Sequence, residues 1–73
     1  MKQPAPIFKV LPLTKKEKEV LIAATSMRTY KQIGQALSIS AETVRTHIRN
    51  IRKKWDLPSL GAVIAAAKEL KMI

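Results

Sequence analysis

Apolar residues recur along this chain at helical spacing. Val20, Leu21 and Ala24 make one apolar face, and Ile33, Ala36 and Leu37 make a second. Val44, Ile48, Ile51 and Trp55 follow at i, i+4, i+7 and i+11, a single stripe on one side of a third helix running from about Ala41 to Trp55. Leu60, Val63, Ile64, Ala67 and Leu70 repeat the spacing once more. No segment alternates every second residue as a half-exposed strand would. The pattern predicts an all-α domain of four helices.

Polar residues mark where these helices begin. Thr14 with Glu17 three residues on, and Thr29 with Gln32, are capping-box pairs, and Leu13 stands as the apolar residue before the first cap. Ser40 and Ser59 are suited to cap the third and fourth helices, and Asp56-Leu57-Pro58 ends the third. Residues 1–12, MKQPAPIFKVLP, hold three of the four prolines and read as an extended N-terminal arm. Ile7, Phe8, Val10 and Leu11 are too apolar for a free linker, so part of the arm is expected to pack on the body or on a second chain. Residues 13–73 form the helical domain.

Charge changes the picture. Fourteen Lys and Arg against five Asp and Glu give a net +9, which points to nucleic acid or an anionic surface as partner. There is no cysteine and one histidine, His47, so neither a disulfide nor a metal site is expected, and no cofactor. No apolar run approaches the ~20 residues of a membrane span, and no signal segment opens the chain, so a soluble cytoplasmic protein without a membrane partner is expected. At 73 residues, a single domain buries only roughly 60% of its unfolded surface, so a second subunit would help it.

Five of the basic residues fall between 45 and 54 with no acid among them. On a helical wheel centred on Val44, Arg45, Arg49 and Lys53 share one side with Glu42 and Thr46. Thr43, His47 and Lys54 line one flank, and Arg52 borders the other. Two short helices joined by about three residues, the second carrying an exposed basic face, describe a helix-turn-helix DNA reader. Gly34, lacking a side chain, lets the two helices cross closely. Arg45 and Arg49, one turn apart, could grip base edges, and Thr46 could offer its methyl or its hydroxyl. The lysines, Lys53 among them, would neutralise phosphates.

The segments LTKKEKEVL and KQIGQALSISAETVRTHIRNIRKKW, read without gaps over residues 13 to about 60, resemble the LuxR/FixJ-type helix-turn-helix domains of bacterial transcription regulators, the family that includes GerE. LTxxExxVL, the IS before the third helix, TVRTH and the following xxNIxxK occur together at fixed spacing. The resemblance implies a third helix in the major groove of double-stranded DNA and a fourth helix that pairs two subunits on a two-fold-related site. By position it implies base contacts from Arg45, Thr46 and Arg49, and backbone contacts from Lys31, Thr43 and Lys54. A homodimer would join through Val63, Ile64, Ala67 and Leu70, unless that stripe merely covers the first three helices. Four residues depart from the family pattern. Met27 stands where a glycine is common, so that turn must be built differently or under strain. Ser38 sits where such motifs favour glycine, Trp55 replaces a usual leucine, and Gly61 lies near the start of the fourth helix.

Other functions compete. A sigma-factor region-4-like module inside RNA polymerase shares the LTxxExxVL opening, though TVRTHIRN fits the LuxR type better. An interaction protein would instead pair with a larger regulator through the fourth helix and the arm. The chain carries no sensor domain, so it is expected either to work without one or to be a fragment. Glu42 is expected to complement the positive end of the third helix. Ser40, His47 and Asp56 do not suggest one pocket, and no glycine-rich phosphate loop is present, so no enzymatic activity is expected.

Overall fold

The computed structural model describes residues 12–73. The expected arm therefore lies outside the described residues, apart from Pro12. Four helices follow in order: α1 (Lys15–Ala24), α2 (Tyr30–Leu37), α3 (Ala41–Trp55) and α4 (Leu60–Glu69). Among the described residues there is no strand, and no helix is long and apolar enough to cross a membrane.

Each helix starts where a side chain satisfies its free N–H groups. Thr14 accepts from the Glu17 N–H at 3.1 Å, and its own N–H donates to Glu17 Oε1 at 2.8 Å. Thr29 and Gln32 exchange the same two bonds at 3.0 and 3.2 Å. Ser40 accepts from Thr43 at 3.0 Å, and Ser59 from Ala62 at 3.1 Å. Both α2 and α3 end in a left-handed residue, Ser38 at φ 61° and Asp56 at φ 54°. In each case the next N–H closes back five residues, Ile39 to Gly34 at 2.8 Å and Leu57 to Arg52 at 2.9 Å. The turn at Met27 has no left-handed residue: Thr25 is right-handed at φ −71°, and the Met27 N–H donates to Ala23 O at 3.1 Å. That turn replaces a glycine with ordinary geometry, and the Met27 side chain packs against the core.

The α3 stripe is the centre of the domain. Val44 and Ile48 pack with Val20, Ala24 and Ile33, while Ile51 and Trp55 pack with Leu13, Leu21, Val63, Ala66 and Ala67. Trp55 is fully buried, so the departure from leucine serves as a core anchor. Burying each such side chain stabilises the fold by about 1.5–3 kcal/mol. One expectation fails here. Ala36 is exposed, because α2 packs inward through Tyr30, Ile33, Gly34 and part of Leu37, and Ala36 lies off that side. Val63 and Ala67 are buried inside this domain, where α4 covers Trp55 and Ile51. Ile64 is half-buried against both groups, and Leu70 is exposed.

Gly34 fixes how α2 meets the start of α3. A Cβ there would lie 2.5 Å from the Ile39 carbonyl oxygen and 3.2–3.3 Å from Ser40 and Ala41 backbone atoms. Backbone cannot move aside as a side-chain tip can. Gly34→Ala is therefore expected to destabilise the domain by about 1–3 kcal/mol. Gly61→Ala, where the nearest atom would be Ser59 Oγ at 3.8 Å, is expected to be neutral or to stabilise by up to about 1 kcal/mol. Thermal melts of the two variants, followed by circular dichroism, separate close approach from simple helix propensity.

Candidate nucleic-acid interface

With the α3 stripe inside, the opposite side of the same helix faces solvent. Glu42, Thr43, Arg45, Thr46, Arg49, Asn50 and Lys53 are all exposed there. Lys31 is exposed in the first turn of α2. The structure thus brings Arg45, Thr46, Arg49 and Lys53 onto one surface, with Thr43 at its N-terminal end. The Thr43 hydroxyl is tied to Ser40 Oγ at 2.8 Å, and the Thr46 hydroxyl donates to the Glu42 carbonyl at 3.1 Å. With that proton committed to the helix, Thr46 presents its methyl and an acceptor lone pair.

The basic side chains do not share one job. Arg45 reaches toward Glu42, Nε to Oε1 at 3.5 Å, and its guanidinium carbon lies 5.8 Å from the centre of the Tyr30 ring. Tyr30, Arg45, Ile48, Arg49 and Arg52 line an open cleft of about 390 Å³ between α2 and α3. Arg52 is half-buried, and its Nη2 donates to the Pro58 carbonyl at 2.8 Å, tying α3 to the loop before α4. His47 is half-buried on the other flank.

Lys54 is already engaged within the domain. Its Nζ lies 2.6 Å from Glu17 Oε1 and 3.3 Å from the Pro12 carbonyl, and only 30% of the side chain is exposed. Glu17 is buried at the start of α1. The ammonium is held by the α1 carboxylate, so a phosphate would have to compete with a short internal ion pair. Burial by itself would raise the Glu17 carboxyl. The hydrogen bond from Lys54, the Thr14 backbone bond and the Lys54 charge outweigh it, holding the group below its ordinary value.

Tyr30 was missed by the sequence reading. Nothing in the spacing of α3 indicates a ring supplied by another helix, and an aromatic residue at a helix start reads as core.

An all-α fold with a tight turn between a short helix and a long one, whose free face is cationic, defines a helix-turn-helix DNA-binding domain. Residues 11–67 match the family model described as bacterial regulatory proteins, luxR family. The chain belongs to that family, one of regulators rather than enzymes. It is 40% identical over 60 residues to the transcriptional activator protein CarR of Pectobacterium carotovorum subsp. carotovorum, covering 82% of this chain and 25% of that protein. It is 47% identical over 45 residues to the transcriptional regulatory protein LiaR of Bacillus subtilis (strain 168), covering 62% of this chain and 21% of that protein. Over 58 residues it is 40% identical to DesR of the same strain, covering 80% of this chain and 29% of that protein. The chain thus spans less than a third of the length of these relatives.

The Glu17–Lys54 pair generates a stability prediction. Lys54→Met is expected to lower the unfolding free energy by roughly 1–3 kcal/mol, since it leaves a buried carboxylate one donor short. The folded pKa of Glu17 lies below its unfolded value of about 4.3, so its contribution is present above that value. It is lost as pH falls through the folded pKa. Melting temperatures followed from neutral into acid solution should decline there, and Glu17→Gln should flatten that part of the decline.

Proposed function

We propose that this chain is a sequence-specific transcription regulator, acting on DNA in the bacterial cytoplasm, with α3 reading the major groove. The observation that carries the reading is the side of α3 opposite Val44, Ile48, Ile51 and Trp55, where Arg45, Thr46, Arg49 and Lys53 are exposed together. One α-helix fits the groove, and an arginine fork can donate to guanine O6 and N7 in parallel, while a threonine methyl suits thymine. Lys31, Thr43 and Lys53 then meet the sugar-phosphate backbone, which positions the helix and contributes salt-dependent affinity. Lys54 adds to the local field while remaining bound to Glu17.

We further propose that two copies bind a two-fold-related site. On α4 and its C-cap the surface open to a second copy is Leu70 and the exposed part of Ile64, beside the exposed Gly61 and Ala65. Small residues there let two helices approach closely.

Selection of bound duplexes from a random DNA pool at roughly physiological salt tests both statements, since phosphate binding alone is weakened there. An enriched inverted repeat is the expected outcome. A single half-site would reject the dimer, and no enrichment would reject sequence reading and favour a partner-binding role. On the enriched duplex, Arg49→Ala should cost roughly 1–3 kcal/mol and relax one base-pair position, whereas Lys53→Ala should weaken all duplexes alike and reduce the salt slope by about 1. Equal losses for Arg49→Ala on enriched and random DNA would remove it from the reading set.

A further inference from the structure

We propose that Tyr30 of α2, together with Glu42, is a positioning residue for Arg45 and thereby sets sequence discrimination without reading a base itself. This rests on the assignment of Arg45 as a base contact. The Tyr30 ring is a fixed platform for two reasons. It is the first residue of α2, immediately after the Thr29 cap whose bonds to Gln32 hold the backbone. It is also half-buried and packed against the group formed by Val20, Ala24, Ile33, Val44 and Ile48. The Arg45 guanidinium carbon at 5.8 Å from the ring centre is within cation–π reach.

Glu42 holds the same side chain at a different atom, Nε, at 3.5 Å. Both Nη groups are then left for a ligand, and these form the end-on fork that matches guanine O6 and N7. The Arg45 side chain is still 59% exposed, so the two holds do not close it off. A long arginine that is free in solution must give up rotamers on binding, which opposes association, whereas one already held gives up fewer. Arg49 provides the contrast. Among the described residues no ion pair or ring contact holds it. The base pair facing Arg45 should therefore be read more strictly than the one facing Arg49.

The test measures competition binding of the full chain to three probes. These are the most enriched duplex from the random pool, its single-base-pair variants, and a scrambled duplex of equal length. Arg45→Ala and Arg49→Ala first show which positions each arginine reads. Tyr30→Leu, which keeps apolar bulk but loses the ring face, should lower discrimination at the Arg45 positions by roughly two- to fivefold. It should leave the Arg49 positions intact, and its effect should vanish in an Arg45→Ala background. Tyr30→Phe should retain the discrimination that Tyr30→Leu loses.

Equal loss on all duplexes, equal loss in Tyr30→Phe, or a loss that persists without Arg45 would each overturn the proposal. If Tyr30→Leu does not fold, Glu42→Gln at a largely solvated position takes its place. It should raise affinity for every duplex, by removing a negative charge from the face, while relaxing the Arg45 positions; unchanged discrimination there overturns the proposal. An Arg45→Ala variant that relaxes no position would overturn the base-contact assignment and this inference with it. Relaxation by Arg45→Ala alone would overturn only the positioning role.

Discussion

The approach of the α2 backbone at Gly34 to the backbone of Ile39, Ser40 and Ala41 governs the rest of the molecule. A side chain at that point would occupy the space of a carbonyl oxygen, so the start of α3 lies as near to α2 as main-chain atoms allow. The left-handed Ser38 and the Ile39 N–H bond back to Gly34 complete the turn within that space. Because the contact is main chain on main chain, it sets the direction of α3 with little slack. It places the Tyr30 ring beside Arg45, while the buried α3 stripe turns Thr46 and Lys53 outward.

The longest helix then acts as the shared beam of the domain. Its N-terminal half is buried against α1 and α2, and its C-terminal half against α1 and α4. A domain of this size has a small margin of stability, so concentrating its largest buried residue, Trp55, on the helix with the functional face is consequential. The cationic face gains rigidity from the stripe behind it. A recognition helix held on both halves presents its side chains at fixed separations, and those separations are what a groove of repeating base edges can register.

Cations along α3 illustrate how position divides chemically similar residues. Lys53 is exposed to solvent, Arg45 is held between a ring and a carboxylate, Arg52 ties the α3–α4 loop, and Lys54 neutralises the buried Glu17. The last pairing also joins the capping box of α1 to the far end of α3. One carboxylate thus satisfies a helix terminus and an ion pair between helices, and it stays ionised although burial alone opposes this.

The four helices, their caps and the α3 stripe were legible in the sequence because each depends on residues three or four apart. Capping boxes at Thr14 and Thr29 are local hydrogen bonds, and the Val44–Trp55 stripe is a consequence of helical pitch. Gly34 was legible as a point of close approach for the same reason, since it lies just ahead of the turn. What the sequence alone determined, then, was the set of elements, the charge of the exposed α3 face and the family they resemble. The tertiary structure decided the rest, because it depends on contacts between residues far apart in the chain. Only the packing of α4 on Trp55 shows that Val63 and Ala67 face inward, and only the crossing of α2 on α3 leaves Ala36 outside. Lys54 meets Glu17 across 37 positions, and Tyr30 reaches Arg45 from another helix. Helical periodicity states which residues share a side of one helix; which neighbour that side meets is settled by packing in three dimensions.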